Sequence, residues 1–273
     1  MGIIEDLRFG YALPPGIEDF SETSGYGIFQ QSANWFFLLW LSLAAALIMA
    51  GIWLWKRGAD KKWSNRLSLR SVQLNHVSKV AMLVCFGLFF VLMSFITKNV
   101  YEKGNFTPEA EEERLDAAYE KKYKYLEVLP QPKYQAVDLR LDLYPSERKA
   151  SYLADITLTN PSGTDTLFLN WEDFINVSSL KLNDQELQLV KEDEEQNLTA
   201  YLIPKTVRAD SLLHLSLEAE KQYIGFVQSD AQADLTYQGS YASVQDFLPV
   251  IGYDSEKELV ENRTREEQTL TRL

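Results

Sequence analysis

Residues 35–55 read WFFLLWLSLAAALIMAGIWLW, and this stretch decides the general class of the protein. It holds no charged side chain, and at about 1.5 Å per residue a helix of this length measures about 31 Å, which matches the hydrocarbon core of a bilayer. Residues 80–97 read VAMLVCFGLFFVLMSFIT and are also long enough to cross. The sequence therefore predicts a membrane-anchored protein with two transmembrane helices. A buried helix hairpin in a soluble domain is the alternative.

The composition narrows the possible classes further. The 273 residues are 46% hydrophobic, which is too apolar for a disordered chain. They include 27 Lys and Arg against 39 Asp and Glu, a net charge of −12, and this sign argues against binding nucleic acid. The single Cys85 has no partner for a disulfide within the chain, and in a membrane span it is expected to behave as a small apolar residue.

The distribution of charge predicts the orientation in the membrane. The loop 56–79 carries seven Lys and Arg against Asp60, and short loops rich in basic residues stay in the cytoplasm. The acidic segment 1–34 and everything after residue 97 are then expected outside. Neither span contains a charge that would indicate a transport path.

Residues 98–133 are predicted to form a helical stalk and a proline linker. Thr107 is expected to be the N-cap and Pro108 the first helical residue, with the helix running to about Val128. A thin apolar stripe predicts a solvated juxtamembrane helix; its members are Leu115, Tyr119 and Leu126.

Beyond residue 133 the hydrophobic period changes from 3.6 to 2, which predicts strands over 134–255. The predicted strands lie at about 137–143, 152–158, 167–171, 176–182, 186–191, 198–203 and 211–218. The turn signals are Asn160-Pro-Ser-Gly and Asn183-Asp184. Seven or more short strands with such spacing predict an all-β antiparallel domain, either a sandwich or a strongly curved sheet.

The same sequence offers little catalytic chemistry. A hydrolytic zinc site needs three protein ligands, and the chain has only His76, expected in the cytoplasmic loop, and His214, expected at an exposed strand position. No nucleophile elbow and no phosphate-binding glycine loop occur, so we expect no catalytic residue, no metal and no ATPase in this chain. Glycosylation acceptors, relevant only in a host with that machinery, are Asn176, Asn197 and Asn262.

The order of these parts resembles that of a known group of proteins. The resemblance rests on five stretches: LWKRG at 54–58, YEKKY at 119–123, LPQP at 129–132, VDLRLDLYP at 137–145 and DFLPVIGYD at 246–254. Together they resemble the middle of bacterial fusion proteins, in which an ABC-2-type permease region is followed by an extracytoplasmic M1-family (aminopeptidase N-like) peptidase region. The resemblance covers about residues 35–270.

The resemblance implies a saddle-shaped β-domain that packs, in intact relatives, on a thermolysin-like zinc domain. The chain stops at Leu273, before the family's Gly-x-Met-Glu-Asn loop and His-Glu-x-x-His helix, so zinc is expected only in an absent catalytic domain to which the charged tail 256–273 would lead. By spacing to Pro249, Gln238 is the candidate that helps to hold the α-amine of a substrate; a polar turn residue beside Gly239 is the alternative.

The resulting prediction is a non-catalytic membrane anchor and β-domain, multi-pass in a bacterial inner membrane with the β-domain outside. Its expected partners are the lipid bilayer, a zinc peptidase domain and an ABC ATPase on other sequence, but no nucleic acid. The acidic segment 1–34 has no signal sequence, so we expect an internal piece of a longer polypeptide or one half of a split gene. The alternatives are a membrane-anchored β-sandwich binding module and a partial permease subunit.

Overall fold

A computed structural model describes residues 27–54, 76–160, 165–204, 211–227, 234–237 and 239–271. These residues form two compact units. The helical unit holds the described residues up to Phe106 together with a short later segment that begins at Gly225. The β unit holds the described residues from Thr107 to Ile224 and those from Asp234 onward.

The helical unit is built from the two predicted apolar stretches. Helix α1 spans Gln30–Leu54 and helix α2 spans His76–Thr97, so both predicted stretches are helical. A π-helical turn, Lys98–Glu102, continues α2, and the Asn99 amide donates to the carbonyl of Phe95 at 2.8 Å. The two helices pack through a small apolar cluster of Phe36, Leu39, Leu92, Ile96, Val100 and Phe226.

Most of the remaining surface of both helices consists of exposed apolar side chains. Leu41 is 65% exposed on α1, and Leu83 and Phe90 are each 66% exposed on α2. By length and composition both helices could cross a membrane. Core helices of soluble proteins and signal sequences can share this length and composition. The exposure of the apolar side chains is therefore the feature that bears on the function.

The later segment of the helical unit packs tightly against α2 and its π-turn. The Phe226 ring lies 5.9 Å from that of Phe95, edge to face, and is 6% exposed. Gly225 has φ +97°, and a Cβ atom there would lie 2.5 Å from the carbonyl oxygen of Asn99. Only glycine fits this approach, because both its conformation and its contact exclude a side chain.

The β unit contains two antiparallel sheets, as the period-2 pattern predicts. The order of one is β1-β2-β8-β4-β5 and that of the other is β6-β7-β3-β9. The strands are β1 Lys133–Tyr144, β2 Lys149–Thr159, β3 Thr166–Asn170, β4 Ile175–Leu182, β5 Gln185–Glu186, β6 Gln188–Asp193, β7 Leu198–Leu202, β8 Leu212–Gln222 and β9 Val250–Ile251.

The core of the β unit follows directly from the alternation of side chains. On β2 the buried residues alternate with exposed or half-buried ones, and β8 repeats the pattern opposite them. Together they supply much of one cluster, which includes Ala150, Tyr152, Ala154, Ile156, Leu158, Leu213, Leu215, Leu217 and Ala219. The other face of the five-stranded sheet is largely polar, and its residues are exposed or half-buried.

The predicted hairpin turn at Asn183-Asp184 is confirmed. It joins β4 to β5, and the two residues have φ of 49° and 64°, as a type I′ turn requires. The Asn160 turn signal continues into 161–164, which lie outside the described residues.

The prediction of a solvated stalk helix is wrong. Helix α3 spans Glu109–Tyr123 and continues as a 3-10 turn to Glu127, close to the predicted end. Its N-cap is Pro108, one residue later than predicted, with ψ 148°. Tyr119 and Tyr123 are fully buried, because their rings pack on Leu198 of β7 within the β unit.

The charged segment after residue 255 is also packed rather than free. Its short helix α4, Asn262–Glu267, contains Arg265, which is 2% exposed. The Arg265 guanidinium donates two hydrogen bonds, of 2.8 and 2.7 Å, to the Glu120 carboxylate of α3. The helix before the sheets and the segment after them are thus bound to each other.

Candidate functional site

The segment around the predicted substrate-binding residue forms a tight turn. Gln238 itself lies outside the described residues, so its predicted role stays a prediction. On either side of it, the Thr236 hydroxyl donates to the carbonyl of Gly239 at 2.5 Å, and the Thr236 N–H donates to the same oxygen at 3.2 Å. Leu235 and Ser240 form an isolated antiparallel bridge. These contacts define a narrow hairpin-like turn at 234–240.

A buried lysine supports the start of this turn. Lys221, near the end of β8, is 2% exposed. Its ammonium donates to the Glu172 carboxylate and to the carbonyl of Asp246 and forms an ion pair with Asp234, each at 3.0 Å. Because Asp234 and Asp246 lie on either side of the turn, one cation links both of its flanks to the sheet. The Phe247 ring covers the ammonium at 5.7 Å.

A tyrosine and a buried arginine complete the cluster. The Tyr223 hydroxyl donates to Asp234 at 3.1 Å. Arg148 adopts a left-handed conformation after the 3-10 turn that follows β1, and its guanidinium lies 5.3 Å from the centre of the Tyr223 ring. The Arg148 Nε–H donates to the carbonyl of Leu235 at 3.3 Å. We call Arg148, Glu172, Lys221, Tyr223 and Asp234 the turn-support cluster.

The electrostatics of the turn-support cluster favour a fixed structure. Burial by itself lowers the pKa of Lys221, but Tyr223, Glu172 and Asp234 together raise it above its ordinary value, so the ammonium stays charged. Burial raises the pKa of Tyr223, which keeps its phenol protonated. Burial also raises the pKa of Glu172, against the opposing effect of Lys221. The Lys221 ammonium and the Tyr223 phenol thus keep their protons, which suits support of the turn.

A second polar cluster joins helix α3 to the end of the chain. The Tyr119 ring stacks on that of Tyr253, with centroids 5.5 Å apart, and the Tyr119 hydroxyl accepts the N–H of Asp254 at 2.8 Å. The Tyr123 hydroxyl donates to Asp193 of β6 at 2.5 Å. With the Arg265 pair described above, these contacts fix α3 against both the four-stranded sheet and residues 253–265.

The two histidines lie apart from both clusters. His214 is an exposed residue in β8, as predicted, and His76 is the exposed first residue of helix α2 rather than part of a loop. Within the described ranges, no group of three or more His, Cys, Asp or Glu could hold a metal ion.

Sequence reasoning missed Lys221 and Arg148. A signal for Lys221 is present in β8, because the alternation that buries Leu213, Leu215, Leu217 and Ala219 also directs residue 221 inward. A charged side chain that the strand directs into the core indicates a site where other polar groups pair with it, because an unpaired buried charge is costly. Its carboxylate partners come from distant segments and cannot be read from the strand itself.

Comparison with known proteins gives a partial likeness. No family model and no curated protein matches the chain. One similar solved structure is that of yeast LTA4 hydrolase in complex with bestatin, with 14% identity and a TM-score of 0.27 over 33% of this chain and 14% of that one. The structure of the native yeast enzyme is similar over 34% of this chain and 15% of that one, with 13% identity and a TM-score of 0.28. LTA4 hydrolase is an M1-family peptidase.

Proposed function

We propose that this chain is a non-catalytic, two-helix membrane anchor that carries a β-domain of the M1-peptidase type. The observation that carries the proposal is the exposed apolar surface of α1 and α2. Leu41, Leu83 and Phe90 are each about two-thirds exposed, and clusters of such side chains on two long helices would be costly in water. Lipid is the solvent that removes this cost.

The role of the β-domain in this proposal is structural. It holds a zinc peptidase domain, encoded on other sequence, at the membrane and frames its cleft through the turn at 234–240. The paired charges of the turn-support cluster favour this role, because they stabilise a turn rather than react. An ABC ATPase on a separate chain is the corresponding partner on the cytoplasmic side.

In this proposal the basic loop 56–79 lies in the cytoplasm of a bacterium, and the β-domain lies on the other side of its inner membrane; the excess of Lys and Arg in the loop favours this orientation. We test this with single cysteines in a Cys85→Ser background of the full chain. An impermeant maleimide added to intact cells should label Glu194→Cys, which lies at an exposed position after β6, and should not label Lys62→Cys until the cells are lysed. Labelling of Lys62→Cys from outside would contradict the orientation, and release of the chain by alkaline carbonate would contradict anchoring.

The non-catalytic role needs a separate measurement. The purified full chain in detergent, with Zn²⁺ added, should bind less than one zinc per chain and should not release amino acids from peptide substrates. Tight stoichiometric zinc or steady peptide trimming that survives repurification would overturn this part of the proposal.

A further inference from the structure

Among the described strands, β1 has one long backbone edge that pairs with no other strand. It spans Lys133–Tyr144 at the end of the five-stranded sheet and pairs only with β2 among the strands that the structure describes. The opposite end of this sheet is β5, Gln185–Glu186, which is too short to template another strand. A long unpaired edge such as β1 presents N–H and C=O groups that another chain can pair with.

The two faces of β1 differ in a regular way. Val137, Leu139 and Leu141 pack against the core of the β unit but remain partly exposed, as expected where no further strand covers them. The residues between them lie on the outer face and are exposed; the charged ones are Asp138, Arg140 and Asp142. An added strand would therefore cover apolar residues on one face and meet charges on the other.

The sequence of β1 is complementary to itself in one antiparallel register. When Leu139 lies opposite Leu139 of a second copy, Asp138 lies opposite Arg140 at two symmetric places and Val137 lies opposite Leu141. This register also overlaps nearly the whole of β1, because Leu139 is close to the middle of Lys133–Tyr144. Opposite charges directly across an antiparallel pair stabilise it, and like charges destabilise it.

Neighbouring registers lose this match. Pairing centred on Arg140 places Arg140 opposite Arg140 and Asp138 opposite Asp142, while pairing centred on Asp138 places two aspartates opposite each other. Pairing centred on Leu141 still places Arg140 opposite Asp142, but it leaves the first residues of β1 without a partner in the second β1 strand. The charges thus select both the partner and the register.

We propose that β1 is the docking edge for β1 of a second copy of this chain, so that two five-stranded sheets join into one continuous sheet across a homodimer. The alternating charges disfavour pairing with an uncharged strand and fit a second β1. The interface uses neither the turn-support cluster nor the membrane helices, so it is independent of the function proposed above.

Charge reversal and charge exchange test the proposal on the full chain in detergent. Arg140→Asp turns both attractive pairs into repulsive ones and should raise the dimer dissociation constant about tenfold or more. The double variant Asp138→Arg with Arg140→Asp restores opposite charges across the dimer and should restore the dimer. The dissociation constant is measured by sedimentation equilibrium.

The matched control is Lys181→Asp, which makes the same change of charge at an exposed position of β4, inside the sheet and away from β1. It should leave dimerisation unchanged, and circular dichroism should show all variants folded. A monomeric wild-type chain, a dimer indifferent to Arg140→Asp, or a failure of the double variant to restore dimerisation would each overturn the proposal.

Discussion

At the scale of single residues, Lys221 shows how a buried charge is tolerated in this domain. Its ammonium has two carboxylates and one carbonyl at 3.0 Å, so its desolvation is offset by its partners. Removing the cation would leave the Asp234 carboxylate, which is only 10% exposed, with no cation beside it and with the Tyr223 hydroxyl and the Leu235 N–H as its described hydrogen-bond donors. An uncompensated buried carboxylate is more costly than the original pair.

We therefore expect Lys221→Met to lower the free energy of unfolding by about 3 kcal/mol. The control is Lys149→Met on β2, which removes a partly exposed ion pair with Glu220 and should lower the free energy of unfolding much less than Lys221→Met does. Urea titration of the full chain, followed by tryptophan fluorescence, measures both. Equal losses for the two variants would show that the burial of Lys221 has no special weight.

At this scale the sequence predicts features that depend on neighbouring residues, and it does not predict features that depend on contacts between distant residues. The turn at Asn183-Asp184 was predictable, because the preference of Asn and Asp for positive φ is a property of those residues alone. The turn-support cluster was not, because Lys221, Glu172 and Asp234 come from three separate parts of the chain. Their meeting depends on the packing of the sheets.

At the scale of elements, helix α3 shows why a polar composition can be misleading. Its sequence is rich in Glu and Lys, and its apolar stripe is thin. The buried side joins Tyr119, which belongs to this stripe, with Tyr123, which does not; their rings supply apolar area while their hydroxyls bind Asp254 and Asp193. Hydropathy counts tyrosine as nearly neutral, so it does not predict this packing.

The packing of α3 predicts a dependence of stability on pH. Burial raises the pKa of Asp116 to about 6, with a smaller contribution in the same direction from Glu112 and an opposing one from Lys257. The folded state therefore binds more protons than the unfolded state between about pH 4 and pH 6. It follows that this residue's contribution to the free energy of unfolding falls as the pH rises through that window.

Asp116→Asn removes the ionisable group and should raise the free energy of unfolding at pH 7 by about 1 kcal/mol, after allowance for solvent screening. The difference between the variant and the wild type should nearly disappear at about pH 3, below the ordinary pKa of an aspartate, where Asp116 is mostly protonated in both states. Urea titrations at the two pH values measure this. A variant that is less stable than the wild type at pH 7 would contradict the assignment.

At the scale of the whole molecule, the sequence predicts which segments form helices and strands better than it predicts which of these segments pack in the same unit. Two apolar helices and a domain of two antiparallel sheets are present, because hydrophobic periodicity is a strong signal over long stretches. The assignment of α3 and residues 256–271 to the β unit, and of Gly225 and Phe226 to the helical unit, depends on contacts between distant segments. A single sequence carries no direct signal for these.

This grouping predicts how a truncated chain behaves. A fragment of residues 107–273 keeps the core of the β unit and should fold, but Phe226 loses the apolar cluster that it shares with Phe36 and Val100. The fragment should associate through this exposed ring, and Phe226→Ser should make it more monodisperse. Size-exclusion chromatography and dye binding to exposed apolar surface measure the difference.

The control for the fragment is Tyr241→Ser, which removes an aromatic ring that is already 92% exposed in the intact chain. It should leave the association of the fragment nearly unchanged. Aggregation of the fragment that Phe226→Ser does not reduce would show that the helical unit shields some other surface.

The position of Phe226 in the chain also has a consequence for biosynthesis. The ribosome completes α1 and α2 before any strand of the sheets, yet Phe226 follows β8. During translation the apolar cluster between the two helices therefore stays incomplete until nearly all strands of the β unit have been synthesised. The arrival of Phe226 at this cluster would then be among the last steps in the folding of the helical unit.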